Sequence, residues 1–167
     1  MKKIIALTIA AALLINIAKA QTAWVDYKID ELFSVKMPAQ PVKLAEDNFY
    51  VRTKDTCFYI VAKLDLKKLT GLDSAAIASQ STTATFANSF KTGIANQMPG
   101  SEFGEVAIGK WHDYTTFNIN GINATKKIKI YSFMLFVGAK AYSLTAILPE
   151  AKNTSGKDFY FNSLVMN

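Results

Sequence analysis

The feature that most constrains this chain is a change in the period of its apolar residues. Along most of its length hydrophobic and polar residues alternate. From Ser74 to Met98 the spacing lengthens, and Phe86, Phe90, Ile94 and Met98 recur every four residues with Ala87 beside them. Alternation suits a strand, whose successive side chains point to opposite faces, whereas a recurrence of four draws a narrow stripe along a helix. The chain therefore has to build a sheet with a helix laid on it. Asp73 is placed to cap the start of that helix, and Pro99-Gly100 ends it. The polar run Ser79 to Thr83 is poor in strong helix formers and loosens the first turns.

Strand signals surround the stripe. Trp24 to Ile29 reads as an opening strand, and Phe33-Ser34-Val35-Lys36-Met37 sets Phe, Val and Met on one face before Pro38 stops it. Phe49 to Arg52 and Cys57 to Leu66 form a hairpin around Lys54-Asp55-Thr56, with Phe58, Ile60, Ala62, Leu64 and Leu66 sharing the apolar face. After the helix, Glu102 to Lys110 leads into Tyr114 to Ile119. Asn120-Gly121 then carries the strongest hairpin signal, because a two-residue type I′ turn wants positive φ at both positions. Lys127 to Val137 fills both faces with apolar residues, as a central strand would, and Gly138-Ala139 turns it into Ala141 to Leu148. Ser155, with Asp158 three residues on, caps a last helix docking through Phe161, Leu164 and Val165.

The first twenty residues belong to a different kind of segment. Lys2 and Lys3 precede the apolar run Ile4 to Ala18, and Ala18-Lys19-Ala20 matches the small-x-small pattern of a signal peptidase site. Residues 1–20 are expected to be a secretory signal peptide, and 21–167 one domain in the periplasm or the medium. A spanning helix needs about 20 apolar residues, so no transmembrane segment is expected after cleavage. Loss of Lys2, Lys3 and Lys19 leaves sixteen basic against thirteen acidic residues, which lowers the formal charge from +6 to +3. Short lysine groups at Lys67-Lys68 and Lys126-Lys127 read as a solvated face, and nucleic acid is not an expected partner.

Reactive groups are few. His112 is the single histidine and Cys57 the single cysteine, so a disulfide within the chain is excluded, as is a multi-histidine or closed zinc site. Asp26, Asp30 and Glu31 lack the spacing of a calcium loop. No Gly-rich phosphate loop and no Gly-x-Ser-x-Gly elbow occurs. A Cys57–His112 pair oriented by Asp113 is the nucleophilic arrangement open to the chain. Asp113 adjoins His112, however, and neighbours on a strand face opposite ways. No metal or cofactor is expected. Aromatic residues exceed what one core face needs, and Trp111, His112 and Tyr114, at a turn, are the candidate residues for binding a partner or ligand.

Three segments, Phe33-Ser34-Val35-Lys36-Met37-Pro38, Phe136 to Leu144 and Phe161-Asn162-Ser163-Leu164, resemble the PsbP-like superfamily. That group also holds the Mog-type Ran-binding proteins and many small exported bacterial proteins. The resemblance covers roughly residues 24–167. It implies an α/β/α sandwich around a central antiparallel sheet and a non-enzymatic role in docking to larger partners, but it transfers no site residue. The order of elements agrees with an α+β fold in which one helix covers each face of the sheet. The functional expectation is an exported, non-enzymatic binding or assembly module that makes protein–protein or small-ligand contacts. A hydrolase using Cys57 with His112 or a carboxylate pair is one alternative, and a carrier of a hydrophobic ligand is the other.

Overall fold

A computed structural model describes residues 24–167; the expected signal peptide lies outside the described residues. Strands β1 (Val25–Lys28), β2 (Phe33–Met37), β3 (Val42–Ala45), β4 (Asn48–Arg52) and β5 (Phe58–Asp65) come first. Helices α1 (Leu66–Thr70), α2 (Ser74–Gln80) and α3 (Ala84–Gln97) follow. The chain then runs through β6 (Glu102–Phe103), β7 (Ala107–Trp111), β8 (Tyr114–Asn123), β9 (Ile128–Val137) and β10 (Lys140–Pro149), and closes with α4 (Ser155–Asn162) and β11 (Val165–Met166). The fold is mixed α and β and is dominated by antiparallel sheet.

Eight strands form the main sheet, in the order β3-β4-β5-β10-β9-β8-β6 with β7 also paired to β8. β9 is central, as its two-sided apolar sequence requires. β1, β2 and β11 form a separate three-stranded sheet. That small sheet and α4 close one face of the main sheet, where Phe33, Val35 and Met37 meet Tyr142, Leu144 and Tyr160. The three helices lie on the other face, where Leu66, Ile77, Phe86 and Ala87 meet Phe117, Met134 and Phe136.

The expected arrangement of one helix per face is therefore corrected. Three helical segments share one face, and strands do much of the covering on the other. The chemistry of the first face explains the exchange: β2 is fully buried at Phe33, Val35 and Met37, so a strand already supplies the apolar lid a helix would otherwise provide. The long helical stretch is also divided. Asp73 caps α2 by accepting from the Ala76 amide at 2.8 Å, while Thr83 caps α3 by accepting from the Phe86 amide at 3.3 Å. The polar run between them breaks the helix rather than only loosening it.

Further corrections concern single elements. In β5 the deeper face carries Tyr59 and Val61, continuing from Cys57, while Phe58, Ile60, Ala62 and Leu64 are only half-buried. Asn120-Gly121 is not a turn; both residues lie inside β8, opposite Tyr131 and Ile130. The chain turns instead at Ala124 to Lys127, where Asn123 Oδ1 accepts from the Lys126 amide at 2.9 Å and Lys127 takes φ 51°. Gly121 serves a close approach: a Cβ there would sit 2.5 Å from the Phe103 ring and 2.9 Å from the Glu102 carbonyl oxygen. The N-cap position of the last helix is Thr154, not Ser155; its hydroxyl donates to Asp158 rather than capping a backbone amide, and the helix docks through the fully buried Tyr160 and through Leu164. Val165 is half-exposed in β11.

Candidate ligand cleft

Helix α3 lies unevenly on the sheet. At its first turns Phe86 and Ala87 are buried, and Phe86 and Phe90 close an aromatic group with Phe117 and Phe136, the last pair 4.6 Å apart between ring centres. Further along, Ile94 and Met98 are only half-buried and Gly93 is exposed. The apolar stripe thus continues past the point where the helix is seated. Between its far half and strands β4, β5, β9 and β10 lies a cleft of about 780 Å³.

Ile60, Leu64, Phe90, Ile94, Met98 and Met134 give the cleft its apolar surface. Leu44 and Leu69 stand at its margin, 64% and 66% exposed, so the mouth is apolar as well. Strand register sets what lies on the floor. Ala62 pairs with Asn48 on one side and Ser143 on the other, and the next row runs from Ile60 through Thr145 to Ser132. Ser132 and Thr145 share a hydrogen bond of 3.2 Å. Asn48 Oδ1 is buried without a hydrogen-bond partner among the described residues. None of the side chains lining the cleft carries a charge.

The residues singled out from the sequence lie elsewhere. Trp111 and Tyr114 pair across the end of the β7–β8 hairpin, whose two-residue loop is His112-Asp113, with His112 at φ 52°. Trp111 and Tyr114 are half-buried against the core of the closed face, Trp111 with its ring centre 6.1 Å from that of Phe33. The exposed His112 ring meets the Trp111 ring edge-on at 4.2 Å. The tight turn is as expected, and this hairpin forms no part of the cleft.

Cys57 is buried at the β4–β5 turn, its amide donating to Thr53 Oγ1 at 3.1 Å. Burial pushes its thiol above the ordinary value, which keeps it protonated at neutral pH. The strand register parts it from His112. Phe58 lies opposite Ile147, Ile147 opposite Ile130, and Ile130 opposite Gly121. From Gly121 back to Tyr114 is about 23 Å of strand at about 3.3 Å per residue. The two side chains sit at opposite ends of the sheet, so the geometry does not form the pair.

The carboxylates are engaged separately. Asp26 pairs with Lys36 at 2.7 Å and Glu31 with Lys28 at 2.6 Å. Asp30 accepts from the Tyr142 hydroxyl at 2.7 Å and from the Leu32 amide at 2.9 Å. Burial works to raise the Asp30 value, but these donors and Lys140 outweigh it and hold the carboxyl below its ordinary range. Asp55, exposed beside Lys152 at 2.5 Å and bonded to Thr53, is lowered to about 2 chiefly by the lysine. No group of three or more His, Cys, Asp or Glu able to hold a metal occurs among the described residues. No helix among them is long and apolar enough to cross a membrane.

No family model matches the chain, and no curated protein matches it. A 1.50 Å crystal structure from Bacteroides thetaiotaomicron VPI-5482 is similar at 10% identity and a TM-score of 0.49, over 81% of this chain and 45% of that one. The chain thus spans less than half the length of that neighbour.

Proposed function

We propose that this chain is an exported, non-enzymatic binding module that holds a small, largely apolar molecule in the cleft beneath α3. The observation that carries the reading is the cleft itself: about 780 Å³ between a half-seated helix and the sheet, lined by apolar and uncharged side chains. Ligand sites of about 300–1,000 Å³, mostly apolar with a few placed polar groups, have this composition. Export rests on the Lys2-Lys3, Ile4 to Ala18 and Ala18-Lys19-Ala20 pattern. Kinship with the PsbP-like superfamily rests on the three quoted segments; the three helices sharing one face depart from the sandwich that kinship implies. A binding role, rather than hydrolysis, is favoured by the buried, protonated Cys57 and its distance from His112.

A hydrocarbon fluorophore tests the reading without assuming a headgroup. Diphenylhexatriene is expected to brighten saturably, one molecule per chain. Gly93→Phe is the blocking variant, because a Cβ at Gly93 meets nothing within 4 Å and the ring would project into the cleft. Losing a helical glycine also favours α3, by up to about 1 kcal/mol. Absence of saturable binding, or equal binding by Gly93→Phe, would overturn the proposal.

A further inference from the structure

We infer that the cleft selects an uncharged amphiphile, an apolar chain ending in a hydroxyl or amide that donates a hydrogen bond, with Asn48 and Ser143 facing the headgroup; this rests on the ligand reading of the cleft given above. The two halves of the lining support it. Along α3 the surface is mainly Phe90, Ile94 and Met98, which offer a chain apolar contact; of the polar side chains there, Ser89 is turned to the Phe86 carbonyl at 2.7 Å and Gln97 is exposed. On the floor, Asn48, Ser143, Thr145 and Ser132 come from three strands in two adjacent rows. A purely apolar ligand would cover these groups without pairing them, and covering unpaired polar groups is unfavourable.

Charge narrows the class further. A carboxylate or ammonium group would leave water for a surface with no counter-charge, and a buried unpaired charge is strongly disfavoured. Fatty acids and other ionised chains are therefore poor occupants. The direction of the hydrogen bond comes from Asn48. Its Oδ1 is a buried acceptor with no partner, and a carbonyl oxygen is satisfied only by a donor. Ser132 and Thr145 already satisfy one another at 3.2 Å, so on the floor of the cleft Asn48 and Ser143 are the groups left to read the headgroup. That oxygen is shielded as it stands, so the Asn48 amide has to rotate about χ2 for a ligand in the cleft to reach it. An alcohol or primary amide meets both requirements; an ether is uncharged but has no hydrogen to donate.

Calorimetric titration of the full chain at pH 7.5 with decan-1-ol, decanoate and decyl methyl ether decides the matter. The alcohol is expected to bind at least tenfold tighter than decanoate and about fivefold tighter than the ether, a factor set by one net hydrogen bond. In Asn48→Leu/Ser143→Ala the alcohol should fall to the affinity of the ether while diphenylhexatriene binds as before. Decanoate binding as tightly as the alcohol would overturn the inference, and so would equal affinity of alcohol and ether. In either case continued uptake of diphenylhexatriene leaves the cleft as a ligand site. If neither amphiphile nor hydrocarbon binds, both readings fall. The comparison among ligands on the unaltered chain stands even if the double variant does not fold.

Discussion

One sheet presents two faces that solve the same problem differently. On the closed face, β1, β2, β11 and α4 press aromatic rings edge-to-face: Trp24 on Tyr59 at 5.3 Å, Tyr59 on Tyr160 at 5.4 Å, Phe33 on Tyr142 at 4.6 Å. Two of the buried hydroxyls there are paired, Tyr160 donating to the Ile60 carbonyl and Tyr142 to Asp30, each at 2.7 Å. On the helical face, packing is tight beneath Leu66, Ile77 and Phe86, and beyond Phe90 the surface under α3 opens into the cleft. The difference teaches that complete burial and a binding surface divide between the two sides of one set of strands. Stability is concentrated where the rings interlock, which leaves the other side free to stay incompletely covered.

The largest expected effect tests that division directly. Tyr160→Ala removes a fully buried ring with its hydrogen bond and should cost about 3–5 kcal/mol in urea unfolding, the range for large aromatic truncations. Ile94→Ala, on the open face, should cost well under half as much, because the residue is only half-buried. Equal costs would erase the distinction between the faces. Gly121→Ala comes next. Its methyl would collide with the Phe103 ring and the Glu102 carbonyl, so overpacking of about 1–3 kcal/mol is expected, read as a lowered melting temperature.

A smaller effect sharpens the account of the closed face. Asp30→Asn loses a charge-assisted bond from Tyr142 and should cost about 1–2 kcal/mol at pH 7. The Asp30 carboxyl is held below its ordinary range when folded. Its contribution is therefore fully present above the unfolded carboxyl value of about 4 and is lost as pH falls through the lower, folded one. Unfolding curves from pH 7 down to pH 2 should show the gap between wild type and Asp30→Asn closing in that acid window. A gap of constant size would mean that the carboxylate charge is not what Tyr142 recognises.

Strand residues with strong alternation were legible in the sequence. Phe33 to Met37 became a strand, Phe58 to Asp65 formed the strand within the expected Cys57 to Leu66, the two-sided Ile128 to Val137 lies in the interior of the sheet, and the four-residue stripe became α3. Turns were less legible. Four of them use positive φ at Asp47, Thr56, His112 and Lys127 rather than at glycine; those at Thr56 and His112 were legible from the flanking strands, whereas those at Asp47 and Lys127 were not. The conspicuous glycine of Asn120-Gly121 instead makes room for a ring. The short strands β3 and β11 escaped notice because four and two residues carry too little pattern. The candidate site was not legible at all. Ser143 and Thr145 look like the wet half of an alternating strand, and only the pairing of β10 with β5 and β9 shows that this half faces a helix. Trp111, His112 and Tyr114 drew attention because rings at a turn suggest exposure, whereas Trp111 and Tyr114 lean into the core.

β3 has one more consequence. It ends the main sheet, all four of its residues are exposed, and its outer backbone groups have no neighbouring strand among the described residues. Such a rim is a template on which other chains can add strands and aggregate. Here the template is short, carries Lys43 and is interrupted by a register shift between Lys43 and Ala45. An incoming strand would find its amides out of step within two residues, so molecules crowded together are kept from growing into one another's sheets at the side where the apolar Leu44 stands uncovered.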